Sequence, residues 1–200
     1  MMAAEPTPDD ITRRDHAWMK RIGEGDHQAF RELVIAYQDV VVGTVARMLG
    51  NTSDAEDVAQ QAFLRIWRSA KRYRPDAKFT TYLFTVTRNL VFNETRRRSR
   101  KKEVSSDARE DEFHLQSESP ESGRPDSEVL QAELQHAVDA AIAALPEPQR
   151  LAVVLRRYED MPYEDIAKVL SLTVPAVKSL LFRARASLRQ SLAKYLDAEF

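Results

Sequence analysis

Apolar side chains recur every three or four residues along most of this chain, the spacing that places them on one face of an α-helix. The clearest run follows Ser53 and Glu56, whose three-residue separation is that of a capping box at a helix start. It predicts a helix with one buried face, formed by Ala55, Val58, Ala59, Ala62, Ile66 and Ala70.

The N-terminal part of the chain has weaker versions of the same pattern. Residues 1–10 are rich in proline and acids, and we expect them to be disordered. A helical pattern then begins near Thr12 and ends at the glycines around Glu24. Asp26 is suited to cap a second helix, which residues 41–49 extend as a further amphipathic segment.

The stretch from Phe79 to Lys102 is open to two interpretations. Its first half is rich in threonine and aromatic residues, which is typical of a strand. The run is long, however, and its pattern fits a helix, so we predict a helix. The large apolar residues on one face of that helix are Phe79, Leu83, Val86 and Leu90.

Two helical patterns meet at a short break in the segment Met161–Arg189. Thr173 is suited to cap the second of these helices, and Pro175 falls in its first turn, where a missing N–H costs nothing. A short helix, a tight turn and a basic second helix are typical of a helix-turn-helix that reads the major groove of DNA. The alternative is an ordinary helical hairpin with a solvated basic face.

The outer face of the helix after Ser53 carries fewer charges than solvent exposure favours. An outward Leu64 beside Trp67 indicates a surface for a partner protein, although both side chains would equally complete the core of a small bundle. The residues opposite the apolar stripe are Asp57, Gln60, Gln61, Leu64 and Arg68, with Phe63 and Trp67 on the flank.

Charge is segregated along the chain although its net value is only −1. Residues 65–104 hold 13 basic and 3 acidic side chains, whereas residues 105–133 hold 2 basic and 9 acidic ones. Six of the basic residues lie within Arg96–Lys102, more than a helix dipole requires, and this density indicates contact with phosphates. Binding to nucleic acid depends on such a local patch rather than on the total charge.

Composition argues against an enzyme. The chain has no cysteine, its four histidines are scattered, and no glycine-rich phosphate loop or nucleophile elbow is present, so we expect no metal and no cofactor. The N-terminus lacks a signal peptide, and no apolar run is long enough to cross a membrane. We therefore expect a cytoplasmic protein without membrane insertion.

Together these patterns predict an all-α protein with two small helical domains. The N-terminal domain spans residues 11–102, and the polar, acidic residues 103–126 form a flexible linker. The C-terminal domain spans residues 127–200 and carries the helix-turn-helix.

Three stretches in this order resemble bacterial RNA polymerase sigma factors. DAEDVAQQAFLRIW and KFTTYLFTVTRNLVFNETRRR resemble region two of these proteins. LPEPQRLAVVLRRYEDMPYEDIAKVLSLTVPAVKSLLFRARASL resembles region four. With only a short linker between them, the chain is similar to the extracytoplasmic-function class, which implies a promoter-specificity subunit without catalysis of its own.

The resemblance also implies which residues contact which partner. Core polymerase, through its β′ coiled coil, would bind Asp57, Gln60, Gln61, Leu64 and Trp67. The β flap is the second implied polymerase contact. The minus-ten promoter element would be bound by Arg74, Lys78, Arg88, Asn89, Arg96, Arg97 and Arg98. The minus-thirty-five element would be bound by Ala176, Lys178, Ser179, Arg183 and Arg185.

Some positions depart from the pattern of the family. Ser171 stands in the helix-turn-helix where many relatives have glycine, and Thr85 and Val86 replace a tryptophan pair of the housekeeping sigma factors. The resemblance further implies an inhibitory partner, an anti-sigma factor, that covers the binding faces. Two other hypotheses remain at this point: a stand-alone helix-turn-helix regulator, and a protein-interaction module in which both domains dock on partners.

Overall fold

The computed structural model describes residues 7–50, 52–104 and 126–196, and every regular element within these ranges is a helix. The prediction of an all-α protein is therefore confirmed for the described residues. The helices are α1 (Pro8–Gly23), α2 (His27–Leu49), α3 (Thr52–Ser69), a 3-10 turn (Ala70–Arg72), α4 (Phe79–Val104), α5 (Asp126–Ala143), α6 (Glu147–Arg157), α7 (Tyr163–Leu170), α8 (Val174–Ser191) and α9 (Ala193–Leu196).

Helix α1 begins earlier than the sequence pattern predicts. Thr7 caps it: the Thr7 Oγ1 accepts from the Asp10 N–H at 3.3 Å, and the Asp10 carboxylate accepts from the Thr7 N–H at 3.2 Å. Pro8 occupies the first turn, where its fixed φ suits a helix. The expectation of disorder for residues 1–10 is thus wrong for positions 7–10, while positions 1–6 lie outside the described residues.

Helices α2 and α3 form the centre of the N-terminal half. Helix α2 is continuous, so residues 41–49 extend it rather than forming a separate segment, and Gly50 ends it at φ 71°. The predicted stripe of α3 is buried against α2. The capping box proposed for Ser53 involves a side chain outside the described residues.

Helix α4 confirms the helical interpretation of the threonine-rich stretch. Phe79, Leu83 and Leu90 are buried on its inner face. The Thr87 hydroxyl donates to the Leu83 carbonyl at 2.9 Å, and Thr85 donates in the same way to Thr81 at 2.7 Å. A threonine that bonds the preceding turn is satisfied within a helix, which explains why strand-favouring residues are tolerated here.

The C-terminal half contains the predicted helix-turn-helix, formed by α7, a three-residue turn and α8. Ser171 ends α7 in the left-handed conformation at φ 57°. Thr173 caps α8 by accepting the Ala176 N–H at 3.4 Å. Val177, Leu181 and Ala184 bury the inner face of α8.

The two halves pack against each other. Helix α4 lies against α7, and α2 lies against α5 and α6. The predicted linker at residues 103–126 falls almost wholly outside the described residues, apart from its first two positions, which extend α4, and its last, which begins α5. Within the described ranges, no helix is both long and apolar enough to span a bilayer.

Candidate polymerase and promoter interfaces

The outer face of α3 is exposed. Asp57, Gln60 and Gln61 are exposed, and Leu64 is 43% exposed, so this face carries a large aliphatic side chain at the surface. Phe63, by contrast, is buried in the core. Leu64 therefore does not complete the core, which was one of the two alternatives for Leu64 and Trp67.

Trp67 occupies an intermediate position. Its ring stacks on His27 with 4.7 Å between ring centroids, and Phe30 lies 5.1 Å away at a tilted angle. These contacts with α2 leave Trp67 only partly exposed. The tryptophan thus fixes α2 against α3 and contributes one edge to the surface around Leu64.

A groove of ≈ 820 Å³ runs beside Leu64 between α2 and α3. We did not predict the α2 wall of this groove from the sequence. Its signal is a four-residue spacing along α2, which puts one row of side chains beside α3. The α2 residues in this row are Phe30, Val34, Gln38 and Val42.

The loop between the 3-10 turn and α4 is supported by aromatic residues. The Tyr73 ring lies 5.2 Å from Tyr82, and burial raises the Tyr73 pKa to about 12. The Tyr73 hydroxyl is buried and makes no hydrogen bond among the described residues. His16 Nε2 lies 3.2 Å from the Ala77 carbonyl, so α1 anchors the loop while Arg74 remains exposed.

Two predicted DNA-binding residues near this loop, Lys78 and Arg88, contact the C-terminal half, although Lys78 is also exposed to solvent. Arg88 Nη1 donates to the Val169 carbonyl at 2.6 Å and to the Ser171 Oγ at 3.3 Å. Its Nη2 donates to the Asn89 Oδ1 at 2.7 Å, so Asn89 orients the guanidinium. Lys78 Nζ lies 3.8 Å from the Asp165 carboxylate. Both cations therefore face α7.

The basic cluster at the end of α4 is partly neutralised. Glu94 accepts from Arg97 at 2.8 Å and from Arg98 at 3.1 Å, and Arg98 also pairs with Asp54. The hydrogen bond from Arg97, followed by that from Arg98, lowers the Glu94 pKa despite partial burial. Arg96 is exposed. The cluster thus presents less free charge than its sequence indicates.

Helix α8 presents the predicted minus-thirty-five residues on one outer face. Lys178, Ser179, Arg183 and Arg185 are exposed, and Ala176 is half-buried. Phe182 lies on the same face and is 73% exposed, yet we did not include it among the predicted site residues. Its three-residue distance from Ser179 is the signal that identifies it. The buried inner face of α8 holds this surface rigidly.

Comparisons with known proteins agree with this architecture. The family model for Sigma-70 region 2 matches residues 33–101, and that for Sigma-70 region 4 matches residues 135–188. The chain is 32% identical to the RNA polymerase sigma-H factor of Pseudomonas aeruginosa, over 92% of this chain and 96% of that protein. It is 34% identical to the ECF RNA polymerase sigma-E factor of Escherichia coli, over 87% and 92% respectively.

Two solved structures share the fold. One is CnrH in complex with the cytosolic domain of CnrY, with a TM-score of 0.62 and 24% identity over 94% of this chain and 99% of that one. The other is the sigma factor RpoE in complex with the anti-sigma factor NepR from Bartonella quintana, with a TM-score of 0.66 and 21% identity over 82% of this chain and 96% of that one.

The chain belongs to the sigma-70 family of RNA polymerase sigma factors, in its ECF class. It is accordingly a promoter-specificity subunit of RNA polymerase, and proteins of this kind are non-catalytic initiation factors. The matches to both regions do not favour a stand-alone regulator. The described residues contain no group of three or more His, Cys, Asp or Glu that would hold a metal ion.

Proposed function

We propose that this protein guides core polymerase in the cytoplasm by reading two promoter elements with its two halves. Helix α8 binds the minus-thirty-five element, and α4 with the preceding loop binds the minus-ten element and supports its opening. The observation that carries this proposal is the outer face of α8, where exposed cations surround a short side chain, Ser179, on a helix fixed by its buried face.

The α8 face suits duplex DNA. Arg183 is exposed and has the planar donor pair that recognises a guanine edge, while Ser179 is short enough to allow close approach. Lys178 and Arg185 lie toward the flanks, where phosphates would be found. Base reading therefore falls to the centre of the face and positioning to its edges.

The minus-ten face suits an opened strand. Unstacking a base costs a few kcal/mol, which must be offset by stacking and hydrogen bonds in a pocket. The loop that carries Arg74 is held by the ring contact between Tyr73 and Tyr82 and by the contact of His16 with the Ala77 carbonyl. Arg88 and Asn89 supply donors and acceptors nearby, and Arg96, Arg97 and Arg98 supply positive charge for the backbone.

The surface of α3 and the adjoining groove suit polymerase. Uncharged Gln60, Gln61 and Leu64 with one acid, Asp57, form a helical face that fits against another helix, such as the β′ coiled coil. Trp67 holds this face in register with α2. We assign the β flap to the C-terminal half, so each half contacts both polymerase and DNA.

We also propose an anti-sigma factor as an inhibitory partner. CnrH and RpoE, which share the fold, were each solved in complex with a second protein, named in one case as an anti-sigma factor. The groove between α2 and α3 has apolar walls and an exposed Leu64 at its rim, which suits a helix of such a partner.

Run-off transcription tests the proposal. Purified protein with core polymerase should start transcription at a defined set of genomic sites, and sequencing of the transcripts should reveal two shared upstream elements. Arg183→Ala should alter initiation through the upstream element, whereas Leu64→Asp should reduce initiation at all sites together. Absence of any protein-dependent start with active core polymerase would overturn the proposal.

A further inference from the structure

The proposed function leaves a cavity beside the loop that carries Arg74 without a role. This cavity lies between α1 and the 3-10 turn and has a volume of ≈ 610 Å³, within the roughly 300–1,000 Å³ of small-ligand pockets. The buried Met19 and Ala70 form its floor, and the exposed Lys20 and Lys71 lie at its rim. The cavity therefore combines an apolar interior with two cations at its edge.

Gly23, the last residue of α1, lies at this cavity and close to the 3-10 turn. A Cβ at Gly23 would lie 3.3 Å from the Ala70 carbonyl oxygen, so a larger residue would meet backbone at this point. The glycine therefore allows the end of α1 to approach the 3-10 turn closely. This approach places Lys20 and Lys71, which come from different elements, on the same cavity.

Two aromatic rings line the cavity beside these cations. His16 comes from α1 and Tyr73 from the start of the loop, and their ring centroids are 6.0 Å apart at an angle of 55°. Aromatic rings bind nucleobases by stacking, with little dependence on sequence. The Tyr73 hydroxyl is buried and has no hydrogen-bond partner among the described residues, although buried polar groups are usually paired. The cavity thus offers aromatic surface together with an unpaired hydroxyl.

The cations of the 3-10 turn and the loop lack acidic partners. Residues 58–75 contain five basic side chains and no acid. Three of these, Lys71, Arg72 and Arg74, are exposed, and none forms an ion pair within the part of the chain that the structure describes. Positive charge that the protein does not neutralise attracts phosphate groups.

Lys20 is unpaired in the same way, although it lies on α1. Its neighbour Arg21 pairs with Asp26 at 2.8 Å and lies 3.8 Å from Glu32. Lys20 is exposed and has no such pair among the described residues. A cation in the last turn also suits the helix dipole, but the dipole does not account for its place on the cavity. Glu24 is the one acid in the described lining, so positive charge predominates there.

The direction of α4 relates this cavity to the promoter. The upstream element is assigned to the C-terminal half, which the chain reaches from the basic end of α4. The loop before Phe79 is therefore the downstream end of the minus-ten surface. Helix α4 has 26 residues, about 39 Å at 1.5 Å per residue, which corresponds to about 11 nucleotides of duplex at 3.4 Å each. A strand that follows α4 past the loop thus continues onto the 3-10 turn and α1.

We propose that the cavity between α1 and the 3-10 turn binds the opened DNA strand directly downstream of the minus-ten element. One unstacked base enters beside His16 and Tyr73, and the Tyr73 hydroxyl forms a hydrogen bond with its edge. Lys20 and Lys71 contact the flanking phosphates. An opened strand fits better than duplex, because only an unstacked base reaches into a cavity. This inference rests on the proposed function.

Two promoter probes test this site with holoenzyme assembled from core polymerase and the full-length protein. Both probes contain a duplex minus-thirty-five element and a single-stranded minus-ten element. One probe ends there, and the other continues downstream by about eight nucleotides, within the roughly 4–16 nucleotides of a single-strand site. The ratio of the two affinities isolates the downstream strand, because any change in binding to core polymerase cancels.

Lys20→Ala combined with Lys71→Ala removes both cations at the cavity. The gain in affinity from the downstream strand should fall about tenfold in this variant, because two phosphate contacts are lost. The slope of log affinity against log salt on the longer probe should become shallower by about 1.4, since each phosphate contact of a single strand contributes roughly 0.7. Arg13→Ala is the matched control, an exposed cation on α1 outside the cavity, and should change neither quantity.

Tyr73→Phe distinguishes a binding role of the hydroxyl from a structural one. The variant keeps the ring and removes only the hydroxyl, which has no partner in the described part of the chain. Thermal stability should therefore not fall, whereas the gain in affinity from the downstream strand should drop about fivefold, the value of one hydrogen bond. Lower stability with an unchanged gain would overturn the assignment of the hydroxyl to the strand.

Failure of this site and failure of the proposed function give different results. If the parent holoenzyme binds the shorter probe, and the parent and the double lysine variant gain equally from the longer one, only the downstream site is overturned. If the parent holoenzyme, made with active core polymerase, binds neither probe specifically, the proposed function itself is overturned.

Discussion

The two surfaces that we propose for promoter DNA differ in the partners of their cations. On α8, Lys178, Arg183 and Arg185 are exposed, and none forms an ion pair within the described residues. On α4 and the loop before it, Lys78 and Arg88 bind α7, and Glu94 holds Arg97 and Arg98. The surface proposed for duplex DNA is therefore exposed in this structure, whereas the surface proposed for an opened strand has partners within the chain. Two basic segments of similar composition thus differ in structure: the cations on α8 face solvent, whereas the four named on α4 and the loop before it have partners within the chain.

Removing the central cation of the α8 surface, Arg183, should have the largest effect on transcription. Arg183→Ala should lower transcription from promoters with an intact minus-thirty-five element by about ten- to hundredfold, since one guanine-reading arginine is worth roughly 1–3 kcal/mol. Run-off yields on intact and base-substituted promoters measure this change. Arg189→Ala, an exposed arginine on the same helix, is the control and should have little effect. An equal loss on promoters without the element would show that Arg183 binds phosphate only.

Disrupting the polymerase face should have the next largest effect and should not depend on promoter sequence. Leu64→Asp places a charge at the centre of the proposed contact and should weaken binding to core polymerase about tenfold. Leu172→Asp is the matched control, because Leu172 is 42% exposed against 43% for Leu64 but lies in the helix-turn-helix turn. Titration of labelled protein with core polymerase gives both affinities. Equal weakening by both variants would contradict a specific role for α3.

Freeing the cluster at the end of α4 should make the two surfaces more alike. Glu94→Gln removes the acid that Arg97 and Arg98 share, so one further phosphate contact becomes available. The slope of log affinity for promoter DNA against log salt should steepen by about 1 in the holoenzyme. Glu24→Gln, at the exposed end of α1, provides the comparison. An unchanged slope would place Arg97 and Arg98 away from the DNA backbone.

The contact between α2 and α6 should respond weakly to pH. Burial raises the Glu159 pKa, against the lowering effects of its hydrogen bond from Thr44 and of the Arg47 charge, with a further raising effect from Asp160. A raised carboxyl pKa means that the stabilisation is fully present below the ordinary value and is lost as pH rises through the folded value. Mild acidification should therefore stabilise the folded protein at this contact.

Thermal stability recorded across the acid range measures this response, and Glu159→Gln should remove it. The glutamine keeps an oxygen for the Thr44 hydroxyl while carrying no charge, so the variant should lack this pH dependence of stability. A response that persists in Glu159→Gln would assign the titration to another group.

Much of the fold was predictable because these helices are stabilised by burial of one apolar face. That burial requires apolar residues at helical spacing, which the sequence shows directly. The stripe that begins at Ala55 illustrates this, since each of its predicted apolar positions is buried. The start of α1 was misjudged because prolines and acids are typical of disorder, although Thr7 and Asp10 already form a readable capping box.

The candidate sites were less predictable for two physical reasons. Arg88 binds a backbone carbonyl, a group that every residue has, so nothing in the sequence identifies Val169 as its partner. The groove beside Leu64 requires two helices to be placed side by side, which periodicity within one helix does not determine. The pairing of Glu94 with Arg97 and Arg98, in contrast, follows from three- and four-residue spacing.

Helix α2 connects the groove beside α3 with the contacts that hold the C-terminal half. Its 23 residues form an unbroken rod about 35 Å long at 1.5 Å per residue. One face of this rod, from Phe30 to Ala46, lines the groove beside α3, and its last turns carry Thr44 and Met48, which hold the C-terminal half.

A protein bound in the groove would therefore contact the same helix, α2, that holds the C-terminal half. A small tilt of α2 would change the geometry of its contacts with α6 and the residues after it, although the bound protein would not contact α6 itself. We therefore expect occupancy of the groove and the strength of the α2–α6 contacts to be coupled through this one helix.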